Sequence, residues 1–69
     1  MEIIVGGKKF NEKESFLITK VVMENCEGLQ ESNEVQRYLK NHSVEEHEDY
    51  YTLRNSDFHG KHFRVSKFS

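Results

Sequence analysis

Four histidines and one cysteine are the residues of this chain that could ligate a metal ion or serve as a nucleophile. His59-Gly60-Lys61-His62 has an H-x2-H spacing, and four residues separate His42 from His47. Zinc sites draw on close Cys and His pairs, and no C-x2-C is present. On a strand, residues 59 and 62 point to opposite faces. The segment His42-Ser43-Val44-Glu45-Glu46-His47 misses both helical zinc-protease spacings by one residue. The histidines are therefore read as surface residues, and no metal is expected.

Cys26 lies between Asn25 and Glu27 at the end of an apolar run. A reactive thiol needs a basic, partly exposed setting that lowers its pKa, so Cys26 is read as a buried or half-buried core residue. Gly6-Gly7 lacks the further glycines and the Lys-Ser/Thr of a phosphate cradle. The carboxylates cluster in a linker and on helix surfaces, where no acid–base pair can be assigned. A chain this short is also expected to form no pocket of ~300 Å³, the lower scale for a small-molecule site. The expectation is a protein without catalytic residues or cofactor, and not an enzyme.

Composition bounds the rest. Sixty-nine residues make one domain, 1–69, with 35% hydrophobic and 32% charged side chains. A chain of this size buries only ~60% of its unfolded surface, so its core is thin. Five Phe and three Tyr supply much of the expected core volume. One cysteine forms no internal disulfide, the N-terminus has no secretory pattern, and no run reaches the ~20 apolar residues of a membrane span. A cytoplasmic protein with no membrane partner is expected. Net charge is −2, but it is uneven. Residues 1–48 hold six basic against ten acidic groups, whereas residues 49–69 hold Arg54, Lys61, Arg64 and Lys67 against Asp49 and Asp57.

The elements that position these residues follow from periodicity. Met1 to Val5 reads as a strand, Gly6-Gly7 as a primed turn, and Lys8 to Phe10 as the returning strand. Residues 12–27 favour a helix. Asn11 and Glu14 resemble a capping box, Gly28 stands at a C-cap position, and Lys13, Lys20, Glu24 and Glu27 form one polar stripe. The β-branched content of 16–23 supports a strand as the alternative, which gives a ββ-α-ββ order. As a helix, the segment is apolar around most of its circumference, which predicts near-complete burial or self-association. Ser32 is the expected N-cap of a second helix, Asn33 to His42, and Ser43 to Asp49 reads as an acidic linker. Tyr50 to Arg54 and Lys61 to Phe68 complete a C-terminal hairpin. The fold class is α+β: β-hairpin, two helices, β-hairpin. This ordering resembles that of small phage and mobile-element proteins, a likeness of arrangement that no motif carries.

Two functions fit. The first is a protein-binding regulator or inhibitor that occludes a partner protein's functional surface. Its expected contact residues are Tyr50, Tyr51 and Phe58, because aromatic residues anchor interfaces, together with the acidic Glu45, Glu46 and Glu48. The second is a winged-helix-like nucleic-acid binder. There Arg37 and Lys40, with Asn33, Gln36 and Asn41, face the major groove, while Arg54, Lys61, Arg64 and Lys67 hold phosphates. Net acidity and the Glu31 and Glu34 carboxylates at the start of the supposed recognition helix oppose it.

Overall fold

The helix that the sequence left contested is set by its first turn. In the computed structural model, which describes residues 2–68, the Asn11 side chain accepts from the Glu14 N–H at 2.8 Å, and Glu14 Oε1 accepts from the Asn11 N–H at 3.4 Å. This reciprocal cap starts α1, Glu12–Asn25. Ser15, Ile18 and Val22 are buried along one face at helical spacing. The helix is less enclosed than its composition predicts. Phe16 is 69% exposed, and Leu17, Val21 and Met23 are only partly covered. A chain this small offers α1 one three-stranded sheet, a short hairpin and one short helix to pack on, too little surface to cover an all-round apolar cylinder.

The N-terminal hairpin pairs β1 (Ile4–Val5) with β2 (Lys8–Lys9) across Gly6-Gly7. Both glycines have positive φ, 57° and 83°, as a primed two-residue turn requires. The expected strand began at Met1, which lies outside the described residues. The Ser15 hydroxyl anchors the hairpin to α1, accepting from the Ile3 N–H at 2.8 Å.

Further along, the second helix is shorter than expected. α2 spans Ser32–Tyr38, followed by a 3-10 turn over Leu39–Asn41. Its N-cap is Glu31 rather than Ser32, and Glu34 Oε1 accepts from the Glu31 N–H at 3.1 Å. The acidic linker is instead largely a strand: β3, His42–Glu46, pairs antiparallel with β4, Tyr50–Asn55, which in turn pairs with β5, Phe63–Ser66. The predicted C-terminal hairpin is thus two strands of a three-stranded sheet in the order β3-β4-β5. Strand propensity alone does not predict β3, since it carries two glutamates and a single β-branched residue. Pairing with β4 and the burial of His42 supply what its composition lacks.

The core is one cluster. Ile3, Val5 and Phe10 from the hairpin segment meet Ile18 and Val22 of α1, Val35 of α2, Leu39, and the sheet residues Tyr51, Leu53, Phe63 and Val65. The architecture is α+β, with two helices and two small antiparallel sheets. Among the described residues, no helix is long and apolar enough to cross a membrane.

Candidate functional site

Strand alternation divides the sheet into two faces. Register places Tyr51 opposite Glu46 and Val65, and Leu53 opposite Val44 and Phe63, on the core side. The residues between them, Ser43, Glu45, Tyr50, Thr52, Arg54, Arg64 and Ser66, face away from the core. Ser43, Glu45, Arg54, Arg64 and Ser66 are exposed, and Tyr50 and Thr52 are half-buried.

Tyr50 is the centre of this open face. Its ring stacks on His47 with centroids 4.5 Å apart and planes 23° apart, and the Arg64 guanidinium lies 4.5 Å from its centroid. The tight β3–β4 turn makes the stack possible: the His47 N–H donates to the Tyr50 carbonyl at 2.9 Å, which brings the two rings side by side. Next to the stack, Arg54 grips Glu45 with both prongs, Nη2 to Oε1 at 2.9 Å and Nε to Oε2 at 3.2 Å. This fork holds the Glu45 carboxyl below its ordinary pKa and raises that of the guanidinium.

Tyr51 points the other way. It is 6% exposed, meets Phe10 edge-on at 5.1 Å, and its hydroxyl donates to Glu14 Oε2 at 2.9 Å. Burial and that acceptor push its phenol up to about 12. Tyr51 is therefore a core residue and not an exposed anchor, because the pleat can present only one of two successive tyrosines to solvent. Phe58 is 86% exposed in the β4–β5 loop. It lies beyond the far end of β4, and at about 3.3 Å per residue that strand separates it from Tyr50 by roughly 17 Å. The two aromatics do not form one patch.

The charged residues separate similarly. Glu45 lies on the open face, Glu46 on the opposite one, and Glu48 in the β3–β4 turn, so the three form no common acidic surface. Lys67 donates to Glu46 at 2.9 Å and holds that carboxyl below its ordinary value. Of the basic residues, Arg54 is paired to Glu45, Arg64 lies on Tyr50, and Lys61 Nζ donates to the Asn25 carbonyl. With Lys67 on Glu46, each of the four cations expected to hold phosphates already has a partner within the chain. Arg37 and Lys40 are exposed and carry no ion pair among the described residues.

The histidines do not converge. His42 lies on the core face of β3 and His47 just past its end beside Tyr50 on the open face, and the His62 Nδ1 accepts from the Asn55 N–H at 3.0 Å. His42 is the exception to the surface reading. It is 5% exposed, flanked by the Tyr38 and Phe63 rings, with Nε2 donating to the Lys61 carbonyl at 3.2 Å and Nδ1 without a partner among the described residues. Burial, the largest cause, lowers its pKa. Among the described residues no group of three or more His, Cys, Asp or Glu side chains is placed to hold a metal ion.

Cys26 is half-buried, and its hydrogen bond with Tyr38 is the main cause of the raised Tyr38 pKa. It borders an open groove of about 500 Å³, and two others measure about 310 and 260 Å³. The expectation that so short a chain forms no depression of this volume is corrected: small elements meeting at angles leave shallow grooves between them.

No protein-family model, curated protein or solved structure matches this chain. The functional reading therefore stands on the geometry alone. The feature that sequence reasoning missed is the His47–Tyr50–Arg64 stack. Its signal was present as a His and a Tyr flanking a two-residue acidic turn, but it becomes readable only once residues 42–46 are recognised as a strand.

Proposed function

We propose that the protein is a non-enzymatic binding module that docks on another protein through the open face of its β3-β4-β5 sheet. The observation that supports this is Tyr50, held between His47 and Arg64 on rigid, paired strands and turned to solvent. Tyr and Arg are the side chains most enriched at the centres of interfaces, and a tyrosine held in place before binding loses little freedom on contact. The partner is a protein surface with a flat apolar patch for Tyr50 and a carboxylate for Arg64. Covering that surface makes the module a regulator or inhibitor, of the kind small phage proteins supply. A single free, half-buried thiol suits action in the reducing cytoplasm.

The test uses the full chain as bait, with Tyr50→Ala and Arg64→Ala as controls. A protein retained by the wild type and lost from both variants, with the circular dichroism of both unchanged, is the expected result. Equal retention on all three baits removes the open face as the docking site.

Nucleic-acid binding is the second reading, favoured by Arg37 on α2 and Lys40 in the 3-10 turn after it, both exposed and, among the described residues, without ion pairs. Against it, the four C-terminal cations are occupied within the chain, and α2 has only seven residues. Anisotropy of a labelled random duplex at about 50 and about 200 mM salt separates the readings, because phosphate-driven binding collapses across that range. Binding lost at the higher salt favours this second reading, and no binding at either salt removes it.

A further inference from the structure

The two edges of the three-stranded sheet differ. At β3 the N-terminal hairpin approaches the strand so closely that a Cβ on Gly6 would stand 3.1 Å from the Ser43 Cα and 3.3 Å from the Val44 nitrogen. At β5, among the described residues, no further strand pairs with the outer edge. The direction of its backbone follows from the ladder. The Lys67 N–H donates to the Asp49 carbonyl, and bonded and non-bonded residues alternate along an antiparallel strand. Phe63 and Val65 therefore bond to β4, while Arg64 and Ser66 turn their N–H and C=O groups outward. Among the described residues those four groups have no hydrogen-bond partner. An open edge of this kind is a template for another strand.

We infer that β5 pairs with β5 of a second copy of this chain, forming a two-fold dimer with a continuous six-stranded sheet. Charge restricts the register. Outward-facing residues must pair with each other, and an Arg64–Arg64 pairing sets like charges directly opposite. Centring the two-fold on Val65 avoids this: Arg64 meets the partner's Ser66, Ser66 meets the partner's Arg64, and the four outward groups of each chain are satisfied. The same axis passes beside the groove of about 310 Å³ between β5 and α1.

Along that groove the exposed residues of α1 are charge-antisymmetric. Lys20 lies toward the N-terminal side and Glu24 one turn on, with Leu17 and Val21 half-buried between helix and strand. A two-fold at Val65 runs the two α1 helices antiparallel, which brings Lys20 of each chain toward the partner's Glu24. One helix is thus complementary to its own copy, as an isologous interface requires. The inference does not depend on the docking role of the open face, which dimerisation would present twice.

Sedimentation velocity of the full chain over a micromolar-to-millimolar concentration series tests it. The wild type is expected to shift from monomer to dimer with rising concentration. Ser66→Pro removes an outward N–H and no bond of the chain's own ladder, so it should keep its circular dichroism and remain monomeric. Lys20→Glu should also remain monomeric, and Lys20→Glu combined with Glu24→Lys should regain the dimer. A wild type that is monomeric throughout overturns the inference. So does a folded Ser66→Pro that dimerises like the wild type. If Ser66→Pro fails to fold, the charge pair decides alone: dimerisation of Lys20→Glu, or failure of the double reversal to restore it, overturns the inference.

Discussion

The two faces of β4 are built from alternate residues of one six-residue strand, and they do opposite work. Tyr51 and Leu53 turn inward, one capping the core through Glu14 and the other fully enclosed. Tyr50, Thr52 and Arg54 turn outward, where their contacts are a ring stack, a cation over a ring and an exposed ion pair. Contacts on the inner face exclude water and so carry stability. Those on the outer face are made in water and organise side chains without adding much to the fold. Two neighbouring tyrosines thus differ entirely in role, and the cause is the two-residue period of the strand.

The strongest way to sharpen this contrast is on the inner face. Leu53→Ala empties a fully buried position and should cost about 2–5 kcal/mol, enough to unfold much of a domain this small, as urea denaturation would read. The same change outside, Thr52→Ala, should leave the midpoint close to that of the wild type.

Tyr51→Phe keeps the ring and deletes one hydrogen bond, at a cost of about 1 kcal/mol at neutral pH. It should also change the alkaline limb of the stability profile. The native state keeps the phenolic proton to about 12, whereas the unfolded chain loses it near 10. Between those values the native state binds more protons, so wild-type stability falls as pH rises through the window. Chemical denaturation at stepped pH should show that fall in the wild type and a smaller one in Tyr51→Phe.

His42 supplies the acid counterpart. Its native pKa is lowered, so the unfolded chain binds the proton first as pH falls through ~6.5. Stability from this group is complete above that value and declines below it until the lowered native pKa is reached. His42→Leu should therefore flatten the acid decline.

The smallest effect on stability belongs to the residue with the largest expected effect on binding. Tyr50→Ala should melt close to the wild type while losing the captured partner. A variant that unfolds would break the contrast between the faces, because it would show the stack to be structural.

Legibility in the sequence followed the range of the interactions. The reciprocal Asn11–Glu14 cap, the Gly6-Gly7 turn and the shared faces of Tyr51 with Leu53 and Phe63 with Val65 were readable, since each spans a few residues. β3 was not, because His42 to Glu46 is a poor strand by composition and gains its bonds from β4, eight or more residues away for most of its pairs. The candidate site was obscured for the same reason. Arg64, read as a phosphate contact, lies over Tyr50, fourteen positions earlier in the chain.

The sequence by itself determined the α+β class, the Asn11–Glu14 capping pattern and the alternation that divides neighbouring residues between faces. These rest on backbone sterics, local hydrogen bonds and periodicity, all of which act within a turn or a strand. Only the tertiary structure decided which tyrosine was enclosed, which cations found partners within the chain, and which sheet edge stayed open. Those outcomes depend on what a distant segment covers, and the identity of a residue does not encode its neighbours across the fold.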